Sequence, residues 1–321
     1  MENLVTVLLP IYKEPLDLIK RSLDSILGQT YKFFKLLIVF DGRDNKAAVD
    51  FISAKEKDDK RISHIINDKN MGLSFALNRG IKLIDTKYVA RMDADDISFL
   101  DRLEYQLDFM ENNPTVDLIS SEVVLISNKG ETIGDKVTFP DSTKFIKKAA
   151  LYGNILNHPT FFGKTQVFKD NPYREIIYAE DYDFTCRLLE QGYIIKIFPR
   201  KVLYYNCGNE PSDKKKYLCS IIGETVGKYY RKKKLCKVDI KKETDEQTER
   251  VNFEKRLKSI NKFNDLVNCK RIGIKSKFFI KAFVYFIFSN YIRRQLFYAL
   301  RLSFLKKRYR KKWYGTILQS K

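Results

Sequence analysis

Four short apolar runs, separated by segments with helical spacing, constrain the fold of this chain more than any other feature. The runs are LVTVLLP (4–10), KLLIVF (35–40), RISHII (61–66) and KYVARM (87–92). Apolar residues recur at helical spacing from Leu16 to Leu27, and the same spacing returns at 47–51 and 73–84. Strands that alternate with helices are typical of a parallel sheet covered by helices on both faces. We therefore predict an α/β fold with a mostly parallel sheet.

Polar motifs follow the end of each predicted strand. They are Glu14, DGRDN (41–45), NDKNMG (67–72) and DADD (93–96). In open parallel sheets, ligands bind beyond the carboxyl ends of the strands, where the connecting loops converge. The sequence therefore predicts one binding site built from these loops.

Asp93 and Asp95 are two carboxylates separated by one residue at the end of a predicted strand. Such a pair can hold a hard divalent cation and leave coordination positions for phosphate oxygens. An alternative interpretation is a polar turn in which Asp96 or Ser98 caps a helix that begins near Leu100. The pair alone does not decide between these interpretations.

The positive charge of the chain is concentrated in its last third. Of the net +20, residues 1–200 contribute −2 (28 Lys and Arg against 30 Asp and Glu) and residues 201–321 contribute +22 (32 against 10). We therefore predict a near-neutral domain at 1–210 and a basic, aromatic-rich helical extension at 211–321. A cationic extension of this kind meets an anionic partner, either phospholipid headgroups or nucleic acid.

The segment 275–315 interleaves aromatic side chains with lysines and arginines. Its longest uncharged run, 282–292, is shorter than the roughly 20 apolar residues that span a bilayer. A helix lying on an anionic membrane surface fits this pattern. An alternative is a helical hairpin at 278–304 that packs on the first domain. No RNP-like, KH or helix-turn-helix pattern accompanies the basic residues, so we predict no nucleic-acid partner.

The pattern of the cysteines and the first residues of the sequence indicate the cellular compartment. Five cysteines without a CxxC pair are typical of free thiols in a reducing environment. The opening MENLVTVLLPIYKEP lacks the features of a signal peptide. We therefore predict a cytoplasmic location.

Six motifs, in this order, carry a resemblance to a known family. They are VTVLLPIYKEP, LLIVFDGRDN, NMGLSFALNRGI, VARMDADDIS, NHPTFF and YAEDYDFTCRLLEQGY. Together they resemble the inverting glycosyltransferases of family 2 with the GT-A fold, and within them the bacterial exopolysaccharide and capsule branch that includes amylovoran-type enzymes. The resemblance spans about residues 4–206. It implies a Rossmann-like nucleotide-diphospho-sugar transferase fold.

The resemblance implies a donor-nucleotide site lined by Pro10, Tyr12 and Glu14, with Asp41 contacting the base and with Asn70 and Gly72 near the nucleotide and its phosphates. The family often has two consecutive acids where this chain reads Phe40-Asp41, which leaves Asp41 as the sole candidate. An alternative for NMGLSFALNRGI is an ordinary capped helix that ends at Asn78 and Gly80.

The resemblance also implies roles for the remaining acids. Asp95 would bind Mg²⁺ or Mn²⁺, and Asp93 would reach the ribose or the metal-bound water. Asp181 would be the general base, and Glu180 would contact the acceptor or hold its loop, whereas Asp183 is structural. His158 either positions the donor sugar or braces the turn at Pro159. The alternative for 180–183 is a set of first-turn acids favoured by the helix dipole.

The implied function is transfer of one sugar from a nucleotide donor, a UDP-hexose, to a polyprenyl-diphosphate-linked saccharide in capsule, exopolysaccharide or O-antigen synthesis, peripherally at the inner face of the cell membrane. No QxxRW motif follows the predicted base, which argues against a processive synthase. The alternatives are a sugar nucleotidyltransferase, or a non-catalytic membrane- or nucleic-acid-binding protein on the same fold. The former usually has a Gly-rich basic first loop, unlike PIYKEP, and the latter would lose acids that this chain retains.

Overall fold

A computed structural model describes residues 3–136, 139–208, 211–271 and 290–319 of the chain. The chain divides into two compact units. The first comprises residues 1–146 and 155–210, and the second comprises residues 147–154 and 211–321. Residues 147–154 therefore belong to the second unit, although the chain returns to the first unit at residue 155 and leaves it only after residue 210.

The first unit is built on one sheet. Its strands are β1 (Val5–Ile11), β2 (Phe34–Phe40), β3 (Ile62–Ile66), β4 (Tyr88–Arg91), β5 (Ile97–Ser98), β6 (Leu118–Ile126), β7 (Thr132–Asp135), β8 (Phe162–Lys164) and β9 (Ile195–Asn206). The order is β3-β2-β1-β4-β8-β6-β9-β5, and β7 pairs with β6. The first four strands are parallel, as predicted. Beyond β4 the sheet is mixed, because β8 runs antiparallel to both β4 and β6.

Seven helices accompany these strands in the described residues up to 208: α1 (Leu16–Leu27), α2 (Lys46–Asp58), α3 (Leu73–Leu83), α4 (Arg102–Asn112), α5 (Thr143–Ala149), α6 (Thr165–Asp170) and α7 (Glu180–Gln191). The first three confirm the predicted helical spacing, and α1 buries Ile19, Leu23 and Ile26 in the core. Strand β1 is buried along its whole length, as expected of a strand covered on both faces. The predicted α/β fold is confirmed.

Two alternatives for local structure are wrong. Helix α3 continues to Leu83, so Asn78 and Gly80 lie inside it; Gly80 is needed there because a Cβ would come within 2.5 Å of Leu8 Cδ1. Helix α4 begins at Arg102, so neither Asp96 nor Ser98 caps it. Ser98 instead belongs to the short strand β5.

The second unit is helical. After residue 210 its helices are α8 (Asp213–Arg231), α9 (Ile240–Arg250), α10 (Phe253–Arg271) and α11 (Asn290–Gln319). The Arg256 guanidinium on α10 pairs with the Glu224 carboxylate on α8 at 2.9 Å. The segment 147–154 is held by the same unit: the Tyr230 hydroxyl donates to Lys147 O (3.2 Å) and Arg231 Nη1 donates to Leu151 O (2.7 Å).

The helical nature predicted for the extension agrees with these four helices. Within the described part of the chain, none of the helices is both long and apolar enough to cross a bilayer. Most of the predicted uncharged run at 282–292 and the first part of the alternative hairpin at 278–304 lie outside the described residues, which resume at 290. Among the described residues, Cys186, Cys207, Cys219 and Cys236 form no disulfide bonds.

Gly163 on β8 tests how tightly the middle of the sheet packs. A Cβ at this position would lie 2.8 Å from the carbonyl oxygen of Asp117 and 2.8 Å from Leu118 Cδ1. Because the carbonyl belongs to the backbone, we expect Gly163→Ala to lower the free energy of unfolding by about 1–3 kcal/mol. Gly223→Ala on α8, where nothing lies within 4 Å, is the control and should not destabilise. Urea unfolding of both variants distinguishes these outcomes.

Candidate active site

Asp41, which follows β2, organises the loop at 67–72. It is 5% exposed, and its carboxylate accepts hydrogen bonds from the backbone N–H of Met71 (2.8 Å), the N–H of Gly72 (2.7 Å) and Asn67 Nδ2 (2.9 Å). Asn70 in this loop is exposed. The N–H of Gly72 is therefore engaged by Asp41, and the loop has a fixed shape at the start of α3.

The loop after β1 carries the next predicted residues. Pro10 lies within β1 opposite Val39, and Tyr12 follows at the strand end. The Glu14 carboxylate is partly buried and accepts a hydrogen bond from the Tyr12 N–H at 2.7 Å. Burial and the nearby Asp93 raise the pKa of Glu14. The carboxylate of Glu14 is thus close enough to the DADD motif for its charge to interact with that of Asp93.

The three aspartates after β4 have different surroundings. Asp93 forms a two-pronged ion pair with Arg91, at 2.5 and 2.8 Å. Asp96 is buried and accepts the N–H of Asn206 at 2.7 Å. Burial, followed by the charges of Asp93 and Glu14, raises the pKa of Asp95 to about 6. Burial, followed by the charges of Asp93 and Asp95, also raises the pKa of Asp96 well above its ordinary value.

These acids fit a divalent cation. The pKa values of Glu14, Asp95 and Asp96 are raised by burial and by neighbouring negative charge, so a bound cation would stabilise the ionised carboxylates. No three His, Cys, Asp or Glu side chains converge on a common metal position within the described ranges. Magnesium in nucleotide sites is commonly held by one or two carboxylates together with substrate phosphates. The residues present therefore suit a metal ion whose coordination is completed by phosphate oxygens of a ligand.

His158 lies in a buried 3₁₀ turn (His158–Thr160) and contacts two residues of the candidate site. Its Nε2 is 2.9 Å from the Tyr173 hydroxyl oxygen, and its Nδ1 is 3.5 Å from Glu180 Oε1. Burial and the positive charge of Arg91 lower the pKa of His158 to about 3, so the ring is neutral. Both ring nitrogens face protein groups, which favours the bracing role over contact with the donor sugar.

Asp181 lies in the first turn of α7, next to Glu180. It is partly exposed, whereas Glu180 is 9% exposed. Asp181 Oδ1 accepts the N–H of Tyr182 at 2.7 Å. Burial and the adjacent charge of Glu180 raise the pKa of Asp181. A carboxylate that reaches the surface and has a raised pKa is suited to accept a proton.

Asp183, two residues later, is held in the interior by two arginines, as expected of a structural residue. It is fully buried, Arg187 Nε donates to it at 2.8 Å, and Arg174 Nη1 lies 3.6 Å away. Breaking a buried ion pair is costly because the remaining charge loses its partner. We expect Asp183→Asn to lower the free energy of unfolding by about 3 kcal/mol. Urea unfolding measures this loss, with the exposed Asp170→Asn as the control; equal stability of the two variants would contradict the buried pair.

Several residues of the site were not predicted from the sequence. Arg91 is one, although a charged residue within the apolar run KYVARM was a signal. Arg102 is another; it is 1% exposed and donates through Nη2 to Arg91 O (2.7 Å) and Pro159 O (3.1 Å). Arg102 therefore fastens the end of β4 to the turn that holds His158.

The sequence profile of Glycosyl transferase family 2 matches residues 6–171. The chain is 35% identical over 230 residues to an uncharacterized glycosyltransferase of Methanocaldococcus jannaschii, covering 71% of this chain and 77% of that protein. It is 27% identical to the amylovoran biosynthesis glycosyltransferase AmsE of Erwinia amylovora (66% and 79% covered) and 34% identical to the O-antigen biosynthesis glycosyltransferase WbnJ of Escherichia coli (53% and 66% covered). The chain therefore belongs to glycosyl transferase family 2.

Solved structures share the fold. TarS 1–349 of S. aureus, in complex with UDP-GlcNAc, matches with a TM-score of 0.56 at 16% identity, covering 94% of this chain and 92% of that one. The mannosyltransferase PcManGT from Pyrobaculum calidifontis, in complex with GDP-Man and Mn²⁺, matches with a TM-score of 0.57 at 13% identity, covering 94% and 87%. The predicted GT-A fold is confirmed.

Proposed function

We propose that this chain is an inverting glycosyltransferase that moves one sugar from a UDP-hexose to a polyprenyl-diphosphate-linked saccharide. One observation carries the proposal: the first unit holds two acidic groups with different surroundings. Glu14 and Asp95, beside the ion-paired Asp93, form a group whose pKa values are raised by burial and by neighbouring negative charge, and Asp181 with Glu180 forms a second group at the start of α7. The first group suits a donor diphosphate with its metal ion. The second suits a base for an acceptor hydroxyl.

At the acceptor, an Asp181 carboxylate oxygen takes the proton of the attacking hydroxyl. The hydroxyl oxygen forms a bond to the anomeric carbon while the bond from that carbon to the donor diphosphate breaks, and the diphosphate leaves with the electron pair. Attack on the face opposite the diphosphate inverts the anomeric centre. Glu180, held beside the neutral His158, contacts the acceptor or fixes the loop that carries the base.

At the donor, Pro10, Tyr12, Glu14, Asp41, Asn70 and Gly72 line the nucleotide pocket. Asp95 would hold Mg²⁺ or Mn²⁺, with Asp93 at the ribose or the metal-bound water. When bound, the ion supplies Lewis-acid stabilisation of the charge that develops on the leaving phosphate. The similar structures of TarS in complex with UDP-GlcNAc and of PcManGT in complex with GDP-Man and Mn²⁺ support a metal-assisted nucleotide-sugar donor.

The acceptor assignment draws on the relatives that act in amylovoran and O-antigen biosynthesis. A lipid-linked saccharide in capsule, exopolysaccharide or O-antigen assembly lies at the inner face of the cell membrane. The basic second unit suits an enzyme that works peripherally at that surface.

The test is a nucleotide-release assay with a panel of UDP-sugars, supplemented with Mn²⁺ or Mg²⁺ and a lipid-linked acceptor. We expect turnover of one UDP-hexose and product with an inverted anomeric configuration by NMR. Turnover only with GDP- or dTDP-sugars would overturn the UDP assignment. A folded protein that releases no nucleotide from any sugar donor would overturn the enzymatic proposal.

The membrane partner is supported by one face of α11. Phe297, Leu300 and Phe304 are 48%, 70% and 64% exposed, and their spacing places them on one side of the helix. Arg301 lies against the Phe297 ring, 5.0 Å from its centroid. Arg294, Lys307 and Arg308 are exposed as well. We call the surface of Phe297, Leu300, Phe304 and these cations the α11 face; apolar side chains flanked by cations suit an anionic bilayer surface.

We expect Leu300→Ser with Phe304→Ser to weaken binding to vesicles of phosphatidylglycerol and phosphatidylcholine by about tenfold or more, because both side chains lose burial in the bilayer interface. Leu83→Ser with Leu100→Ser removes apolar side chains that are 59% and 61% exposed in the first unit and serves as the matched control. Cosedimentation measures both. Equal binding of the two double variants would remove the α11 face from the proposal, and a wild type that does not bind would remove the membrane partner.

A further inference from the structure

Asn78, inside α3, holds the backbone of a residue that lies 95 positions later in the sequence. Its Oδ1 accepts the N–H of Tyr173 at 2.8 Å, and its Nδ2 donates to the carbonyl oxygen of Tyr173 at 2.7 Å. One carboxamide therefore pairs with both backbone polar groups of a single residue. Tyr173 is 3% exposed, and a buried N–H or carbonyl without a partner is destabilising. The pair of hydrogen bonds thus fixes the backbone of Tyr173 against α3.

Tyr173 in turn contacts both elements of the acceptor side. Its hydroxyl oxygen lies 2.9 Å from His158 Nε2, and His158 Nδ1 lies 3.5 Å from Glu180 Oε1. The Tyr173 ring stacks on the ring of Phe184 in α7, with centroids 4.6 Å apart. Asp181 lies in the first turn of the same helix. A displacement of Tyr173 would therefore move the residues that carry Glu180 and Asp181.

Arg79, the next residue of α3, makes its contacts on the donor side. Its Nη1 donates to the carbonyl oxygen of Ile66 at 2.8 Å and to Asn67 Oδ1 at 2.5 Å. Asn67 Nδ2 donates to the carboxylate of Asp41 at 2.9 Å. Two neighbouring residues of one helix therefore hold different halves of the candidate site: Arg79 holds the loop that supports Asp41, and Asn78 holds Tyr173.

We propose that Asn78 is a positioning residue for the acceptor half of the reaction: through Tyr173 it holds Glu180 and the base Asp181 in place. This inference rests on the proposed glycosyl transfer. Asn78 acts through these contacts and takes no part in the chemistry. Because Arg79 supports the donor loop instead, substitutions at the two neighbouring positions should have different kinetic effects, whereas a general loss of helix stability would affect both halves alike.

Asn78→Ala removes both hydrogen bonds to Tyr173. We expect kcat to fall by about a hundredfold, since a misplacement of about 1 Å at the reacting groups has an effect of that size. The donor dissociation constant should change little, because Asp41 still holds the loop at the start of α3 through the N–H groups of Met71 and Gly72. Arg79→Gln should show the opposite pattern, with donor binding about tenfold weaker and kcat at saturating donor nearly unchanged.

Tyr173→Phe tests whether the effect passes through the proposed contacts. The variant keeps the backbone bonds to Asn78 and the stacked ring but loses the hydroxyl that meets His158, so we expect kcat to fall by about tenfold. In the Asn78→Ala background the same substitution should have little further effect, because residues that act through one set of contacts are not additive. Effects that multiply in the double variant would contradict the proposed route.

The experiment measures kcat at saturating acceptor and the donor dissociation constant for the full-length wild type and these variants, with urea unfolding alongside. Asp117→Ala is the matched control. The Asp117 carboxylate accepts the N–H of Ile194 at 2.8 Å and pairs with Lys164 at 3.0 Å, at the amino end of β6 and thus at the edge of the sheet opposite the site. This control should lower stability and leave kcat and donor binding unchanged.

Three results would overturn the inference while glycosyl transfer stands: Asn78→Ala that behaves like Asp117→Ala, Asn78→Ala with the same kinetic pattern as Arg79→Gln, or multiplicative effects with Tyr173→Phe. A wild type without transfer would overturn both proposals. If Asn78→Ala does not fold, Asn78→Asp takes its place. It keeps an acceptor for the Tyr173 N–H but turns an oxygen toward the Tyr173 carbonyl, and it should lower kcat without weakening donor binding.

Discussion

Asp181→Asn should reduce the turnover number by about a thousandfold, because an amide cannot take the proton of the acceptor hydroxyl. The side chain keeps its size, and its oxygen can still accept the N–H of Tyr182, which lies 2.7 Å from Asp181 Oδ1. The donor affinity should therefore change little. Burial and Glu180 raise the pKa of Asp181, so the wild-type rate should fall with decreasing pH through a value above the usual aspartate range and level off at higher pH.

The measurement is kcat in the nucleotide-release assay, together with a donor dissociation constant from equilibrium binding. Asp50→Asn, the same substitution at an exposed position on α2, is the matched control and should retain wild-type kcat. A loss smaller than about tenfold at Asp181 would exclude it as the base, since general-base catalysis typically contributes at least a hundredfold. A loss of similar size in both variants would point to an indirect cause.

Asp95→Asn should reduce kcat/KM by about a hundredfold or more and should weaken activation by Mn²⁺. The reason is that Asp95 is partly exposed, has a pKa raised to about 6 and has no ion-pair partner in the described residues. Asp93, in contrast, is paired with Arg91, and the buried Asp96 accepts the N–H of Asn206. Stabilisation of a leaving phosphate by a divalent ion is worth several kcal/mol, and each 1.4 kcal/mol is about tenfold in rate.

Titration of activity with Mn²⁺ checks this expectation. For Asp95→Asn, the half-maximal Mn²⁺ concentration should rise and the rate at saturating Mn²⁺ should recover only in part. Asp108→Asn, at an exposed position on α4, is the control with unchanged activation. Wild-type activity that persists in excess chelator would contradict the metal assignment and leave Asp95 with an electrostatic role only.

The first half of the sheet could be predicted from the sequence because its strands and helices alternate along one continuous stretch of the chain. Strands β1 to β4 are rich in apolar residues, and a helix with clear spacing joins each of these strands to the next one in the chain. Strand β8 has only three residues, and it exists because Phe162 and Gly163 pair with β4 and β6, which are distant in the chain. Such non-local pairing leaves no periodicity in a short segment.

The same distinction applies to the site. Acids at strand ends and at a helix start were visible as motifs, so Glu14, Asp93, Asp95 and Asp181 could be named in advance. The partners of these acids come from elsewhere in the sequence: Tyr173 reaches His158 across a loop, and Arg102 joins β4 to the turn at Pro159. These contacts depend on three-dimensional packing, and no local sequence pattern predicts them. The roles assigned to the acids remain predictions for the assays above.

Because residues 147–154 belong to the second unit, they affect how domains of this protein can be exchanged with those of its relatives. Two side chains of α8, Tyr230 and Arg231, hold the carbonyl groups of Lys147 and Leu151. A gene fusion joined at residue 210 would thus pair one parent's 147–154 segment with another parent's α8. Exchange of the helical unit between enzymes requires three junctions, at 146/147, 154/155 and 210/211, so we expect the two units to have been inherited together rather than shuffled as separate modules.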